Sequence, residues 1–276
     1  MTSDRVSGKG RAAASVALAL VCAVTGGLDA QRGDNRPLVP LPPRAAAPID
    51  LTGYWVSIVT QDWRWRMVTP AKGDYLGIPM TVEAKKVADQ WDPARDEAAG
   101  EQCKSYGAAA LMGVPGRLHI TWQDDNTLRI DADAGIQTRL FHFGGWQPPR
   151  EAPRSWQGQS RAEWQTPNPN PQLYLRPAAR SAADPPPPQV MNGSLKVVTT
   201  NLRAGYLRKN GVPYSANAAL TEYWDLTKQP NGALWLTITT QVEDQLYLRE
   251  PRQIAFLFKK EADSAKWDPT PCSARW

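Results

Sequence analysis

From Arg117 to Phe143 apolar side chains return at nearly every second position, and a period of two admits strands and little else. Leu118, Ile120 and Trp122 fall on one side of the first run, with His119, Thr121 and Gln123 on the other. Asp124-Asp125-Asn126 makes a turn, Thr127 to Ala132 returns with Leu128 and Ile130 inward, Ala134-Gly135 turns again, and Gln137 to Phe143 follows. The same alternation recurs over Gly53–Thr60, Ser194–Leu202, Ala219–Leu226, Ala233–Val242 and Arg252–Lys260. Asn231-Gly232 between two such runs signals a hairpin, because both residues tolerate positive φ. Thr81 to Asp89 alone reads as a short amphipathic helix, with Val82 and Val87 on its apolar side. About eight strands joined by hairpins must hide their edges. The expectation is a mainly β fold: an antiparallel up-and-down barrel, with a β-sandwich as the alternative.

The ends and one interior stretch fall outside this pattern. Residues 1–30 place Arg5, Lys9 and Arg11 before an apolar run from Ala12 to Thr25, followed by small residues up to Ala30. This is the layout of a secretory signal peptide, and it predicts a periplasmic or extracellular protein with no stable membrane span once the signal is removed. A lipid anchor through Cys22 is disfavoured because Leu20-Val21, not small residues, precede it. Residues 31–48 carry five prolines and read as an extended tether to one barrel domain over 49–276. A second Pro-rich stretch, 165–192, reads as a long loop inside that domain, because proline cannot donate within a sheet. After signal removal only Cys103 and Cys272 remain, and in an oxidising compartment the two are expected to pair. The whole chain carries a net charge of +5, which becomes +4 without residues 1–30 (29 basic, 25 acidic), and no basic stripe marks a nucleic-acid partner.

The standard catalytic signatures are missing: no His-Glu-x-x-His, no phosphate loop and no dinucleotide fingerprint. Gly158-Gln159-Ser160-Arg161-Ala162 approaches a nucleophile elbow, but its flanks are polar and Pro-rich. Neither a metal site nor a cofactor is expected. Alternation puts His142 in register with Leu140 and Ile136, and Glu222 in register with Leu220 and Trp224. An inward carboxylate must be paired, hydrogen-bonded or protonated. It is therefore either an acid–base residue, with His142 as its partner, or half of a salt bridge to Arg139 or Arg203. Asn201 shares a face with Leu195 and Val197, and His142, Asn201 and Glu222 are candidates to line one barrel cavity. In Asp62-Trp63-Arg64-Trp65-Arg66, Trp63 and Trp65 share one face and Arg64 points to the other, an arrangement suited to an anionic aromatic or a sugar. Trp122 and Trp224, on inward faces, complete the candidate ligand-binding set with Trp63, Arg64, Trp65 and Asn201.

A set of short motifs appears in a telling order: Asp50-Leu51-Thr52-Gly53-Tyr54-Trp55, Trp156-Gln157-Gly158-Gln159-Ser160, Gly193-Ser194-Leu195-Lys196-Val197-Val198-Thr199-Thr200, Leu220-Thr221-Glu222-Tyr223, and Val242-Glu243-Asp244 with Tyr247. On these the chain resembles a widespread group of secreted bacterial β proteins with a lipocalin-like outline, over most of residues 50–272. The Gly-x-Trp opening is similar to that of lipocalins, where Trp closes one barrel end. The Pro-rich insert after Trp164 departs from the group's pattern. The resemblance implies a barrel that holds a small apolar ligand, and it supplies no activity or catalytic residues. Three functions follow as expectations. The first is an exported binding protein for a small hydrophobic or aromatic molecule in a barrel cavity. The second is a cofactor-independent lyase, isomerase or cyclase using the same cavity. The third is carbohydrate binding through exposed Trp.

Overall fold

The computed structural model describes residues 41–149, 151–166 and 193–275. Residues 1–30, where a signal peptide is expected, residues 31–40 of the Pro-rich stretch, and 167–192 of the insert lie outside them. In chain order the elements are β1 (Gly53–Ile58), α1 (Trp63–Arg66), α2 (Val82–Asp89), α3 (Pro93–Ala98), a 3-10 turn (Gln102–Tyr106), α4 (Ala108–Leu111), β2 (Arg117–Trp122) and β3 (Thr127–Ala132). Then come β4 (Ala134–Gly135), β5 (Gln137–His142), β6 (Gln159–Gln165), β7 (Ser194–Thr200), β8 (Gly205–Arg208), β9 (Val212–Tyr214), β10 (Ala219–Lys228), β11 (Leu234–Glu243), β12 (Arg252–Lys260) and β13 (Thr270–Pro271).

Nine of these strands close into a barrel in the order β1-β12-β11-β10-β7-β6-β5-β3-β2. Each lies beside its nearest barrel neighbour in sequence, and β1 closes the ring by pairing with both β12 and β2. The barrel expectation holds, with one correction to its antiparallel character. A ring with an odd number of strands cannot alternate direction all the way round, so at least one pair must be parallel. That pair is β5–β6, with only Phe141↔Ser160 and His142↔Arg161 in register. The strand that makes the number odd is β6, which the alternation of apolar residues does not reveal. Its inward positions are Ser160, Ala162 and Trp164, so two of the three are small and only the last is a large apolar residue. The chain from 143 to 158 carries β5 round to β6, a length suited to a parallel connection.

Inward side chains fill the barrel. Trp55, Leu118, Ile120, Leu128, Ile130, Phe141, Leu195, Val197, Trp224, Leu236, Ile238 and Phe258 are all essentially inaccessible to solvent. Each large side chain buried this way contributes about 1.5–3 kcal/mol. Trp55 donates its indole N–H to the Leu51 carbonyl (2.8 Å), and the Lys260 ammonium lies 5.3 Å from its ring centroid. Asn231-Gly232 does make a hairpin, but only Gly232 adopts positive φ (+84°). Gln229 closes the loop on Ala233 and Gly232 donates back to Gln229, giving a turn over Pro230-Asn231 followed by a glycine in the left-handed region.

A second apolar cluster packs beside the barrel core and joins the helical segments to the β8–β9 hairpin through Ile78, Ala108, Ala109, Leu207, Val212 and Tyr214. Helix α2 begins where the sequence predicts, with the Thr81 hydroxyl accepting from the Ala84 N–H (3.1 Å). Its buried face differs: Ala84 and Ala88 are covered, whereas Val82 and Val87 face solvent. Two alanines let the helix approach the β9 side closely, which valines at those positions would prevent. Cys103 and Cys272 form a disulfide (S–S 2.02 Å) that ties the 3-10 turn to β13, which pairs in parallel with β4.

Candidate functional site

The sequence places Glu222 inside the barrel, and it lies there without solvent exposure. Both of its oxygens are engaged by Arg139. The guanidinium donates from Nη1 to Oε1 (2.9 Å) and from Nη2 to Oε2 (2.5 Å), a two-pronged pair with both side chains fully buried. Nη2 also donates to the Thr199 hydroxyl (3.2 Å), which shares a hydrogen bond with Ser160 (2.8 Å), and the guanidinium rests 4.8 Å from the Phe141 ring centroid. Ser160 thus sits within a strand, near its start, buried and hydrogen-bonded, and not on an exposed elbow. Trp224 is fully buried against Phe141 (5.3 Å, edge to face) and is part of the core, not a cavity wall.

His142 faces outward, contrary to the register read from Ile136 and Leu140. Ile136 has φ +50° and belongs to the turn before β5, so the strand's alternation does not run through it, and Arg139 and Phe141 point inward instead. Asn201 also leaves its strand: it has φ +57°, and its amide donates to the carbonyls of Ala152 and Pro153 (3.0 and 3.3 Å). His142, Asn201 and Glu222 therefore do not share a cavity. One lies outside the wall, one pins a loop, and one is sealed within.

What His142 does line is a groove of about 520 Å³ at the parallel seam. Strand β5 stops at His142, while β6 runs on to Gln165 without a β5 partner. Gly144 and Gly145, both at positive φ (+71° and +74°), turn the chain away and bring it back. That turn lays the Trp146 indole on the His142 ring, 4.1 Å between centroids and 22° from parallel. Phe143 and Trp164 stand 5.3 Å apart beside this stack, and Trp122 packs on both (5.5 and 6.4 Å) from the barrel interior. Polar groups come from the outer faces of β6 and β7: Arg161, Glu163 and Lys196, the last two paired at 3.2 Å. The third side is the Pro-rich segment itself, where Leu41, Pro43 and Ala46 line the groove and the Pro43 carbonyl accepts from the Trp164 indole (2.8 Å). Burial pushes the His142 pKa below its ordinary value, with the Asp124 carboxylate pulling the other way. The His142 Nδ1 lies 3.5 Å from the Thr127 hydroxyl. Sequence reasoning singled out His142 and Trp122 and counted Trp146 and Trp164 only as aromatic surface near the meander; the stacking of Trp146 on His142 depends on the double-glycine turn before it.

The Trp63–Arg66 stretch is one helical turn, not an extended ladder, so Trp63 and Trp65 do not share a face. Trp63 projects into solvent. Trp65 is held: its indole N–H donates to Asp74 (2.9 Å), Arg64 reaches the same carboxylate oxygen (2.8 Å), and the guanidinium groups of Arg64 and Arg208 each lie 4.7 Å from its ring centroid. The Trp65 bond and then Arg64 hold the Asp74 carboxyl below its ordinary pKa. Among the described residues no group of three or more His, Cys, Asp or Glu side chains is placed to share a metal ion, and no helix is long and apolar enough to cross a membrane. Comparison with protein-family models, curated proteins and solved structures gives no match for this chain.

Proposed function

We propose that this chain is an exported binding protein for a small aromatic molecule, and that the ligand sits in the groove at the β5–β6 seam and not in the barrel lumen. The observation that carries this reading is the stacked His142–Trp146 pair facing a 520 Å³ groove with Phe143 and Trp164 on its walls. That volume suits a molecule of one or two rings. Flat π-faces contribute contact area at small entropic cost, and Arg161 and Lys196 offer donors that orient a polar substituent. The lumen is a poorer place for a ligand, since Trp55, Trp224, Phe141 and Phe258 already occupy it. An enzyme built on Glu222 and His142 lacks support for the same geometric reason: the barrel wall separates them. The Cys103–Cys272 bond supports an oxidising compartment, the periplasm or the exterior. A lipocalin-like relationship is consistent with Trp55 under Lys260 at the first and last barrel strands.

The test is a titration with benzoate and, separately, with glucose, following the indole N–H and histidine ring signals by NMR. Benzoate should shift Trp146, Trp164 and His142 saturably, and Trp146→Ala should weaken that binding about tenfold, the scale of one lost aromatic contact. Shifts produced by glucose alone would transfer the groove to carbohydrate recognition. Shifts spread evenly over all indoles would remove the groove as a site.

A further inference from the structure

A second cavity, sharing no lining residue with the groove, lies where the barrel core meets the neighbouring apolar cluster. Phe256 and Val114 belong to one cluster, Ala109 and Leu207 to the other. Its charge is unusual. Arg66, Arg208, Lys209 and Arg252 all line it, against the single carboxylate of Asp62.

Buried cations normally come with partners. Arg66 is only 7% exposed, and its Nε donates to the Gly113 carbonyl (2.9 Å). Yet its two terminal nitrogens, Nη1 and Nη2, are buried with no hydrogen-bond partner among the described residues. The Phe256 ring centroid, 5.0 Å from the guanidinium, gives it an aromatic face but no acceptor. Arg208 is equally buried and uses Nη1 on the Leu76 carbonyl (3.1 Å). Burial lowers the pKa of both to about 10, and Arg252, close enough to depress Arg208 further, is lowered by burial as well. Converging like charges in a partly dry cleft raise the energy of the folded state, and an anion among them would reverse that.

We propose that this cleft binds a small oxyanion, a phosphate or carboxylate group, gripped by the unpartnered fork of Arg66 with Arg208 and Arg252 around it. Guanidinium forks match the spacing of carboxylate and phosphate oxygens. The open volume of 40 Å³ is that of about three or four water-sized atoms, the scale of a carboxylate group or of the oxygens of a single phosphate, at about 10–15 Å³ each. Lys209 is already engaged with the Tyr106 hydroxyl (2.7 Å) and adds field, not a primary contact. Asp62 opposes the anion, so its role is to set the affinity.

The experiment is calorimetric titration of the full chain with inorganic phosphate and with acetate, in chloride buffer at constant ionic strength. Saturable binding of at least one probe is expected, and the tighter one names the group. Arg252→Gln, at a partly exposed strand start, should weaken it about tenfold. Asp62→Asn should strengthen it, because asparagine tolerates the left-handed backbone at that position (φ +53°) and removes the opposing charge. No saturable heat with either probe, or binding that neither variant changes, would overturn the proposal.

Discussion

His142 shows how one residue can be placed correctly in a site for an incorrect reason. Alternation from Ile136 turned it inward. The structure breaks that count at Ile136, a β-branched residue in the left-handed region with its side chain in solvent. The residue that truly faces the lumen is a charged one, Arg139, so the local pattern of apolar residues pointed the wrong way. Glu222 was legible because Leu220 and Trp224 flank it within one unbroken strand. The outward environment of His142 has a measurable consequence. Its folded pKa lies below the ordinary 6.5, because burial penalises the imidazolium. The folded protein therefore binds this proton less readily than the unfolded chain. Its contribution to stability is fully present above about pH 6.5 and is lost as pH falls through the lower folded value. NMR titration of the two histidines should show His142 titrating below 6.5, and His142→Gln should flatten this part of the acid limb of a stability–pH curve. A His142 titrating above 6.5 would contradict the described surroundings.

At the scale of elements the seam is the weak point. Strands β10 and β11 register over ten pairs, whereas β5 and β6 share two. The Arg139–Glu222 pair spans that deficit, since Arg139 stands on β5 and reaches past β6 and β7 to β10. Removing one partner strands a charge in the lumen. Glu222→Gln should cost about 3–5 kcal/mol in denaturant unfolding. The paired replacement Arg139→Met with Glu222→Leu should recover most of that, because no buried charge then remains. If Glu222→Gln unfolds like the parent, the ion pair is not what holds the seam. The meander β2–β3–β5 and the hairpin β10–β11 were readable from alternation and turn residues. Strand β6 was not, because its inward Ser160 serves the polar network and its inward Ala162, though part of the core, is too small to mark an apolar period. Nor was α1, where Asp62 in the left-handed conformation starts a helical turn in a stretch that alternates like a strand.

For the whole molecule, the disulfide is the longest-range covalent constraint. Its two cysteines are 169 residues apart, and the loop they close contains every barrel strand except β1. In the chain-entropy model such a loop contributes about 3–5 kcal/mol. Thermal unfolding of the Cys103→Ser, Cys272→Ser double variant should show a clear loss of Tm without loss of the native far-UV signal. An unchanged Tm would mean the tail is held by its non-covalent contacts, among them the β4–β13 pairing, the Ser273 N–H to Tyr106 hydroxyl bond (3.3 Å) and the Arg275–Glu97 pair (3.5 Å). Cysteine arithmetic sufficed to find this bond, because only two thiols remain once Cys22, in the stretch expected to be a signal peptide, is set aside.

The ring closes through β1, the first barrel strand in chain order, and one of its two neighbours is β12, the last strand of the barrel. A ribosome delivers these about two hundred residues apart in time as well as in sequence. Until Lys260 has emerged, one flank of β1 presents bare amides and carbonyls, and β11 presents another. A nascent chain of this design is an open ribbon with two sticky margins for most of its synthesis. Its maturation is therefore a single late event, and a chain cut short anywhere before β12 should behave as an aggregating sheet and not as a smaller barrel.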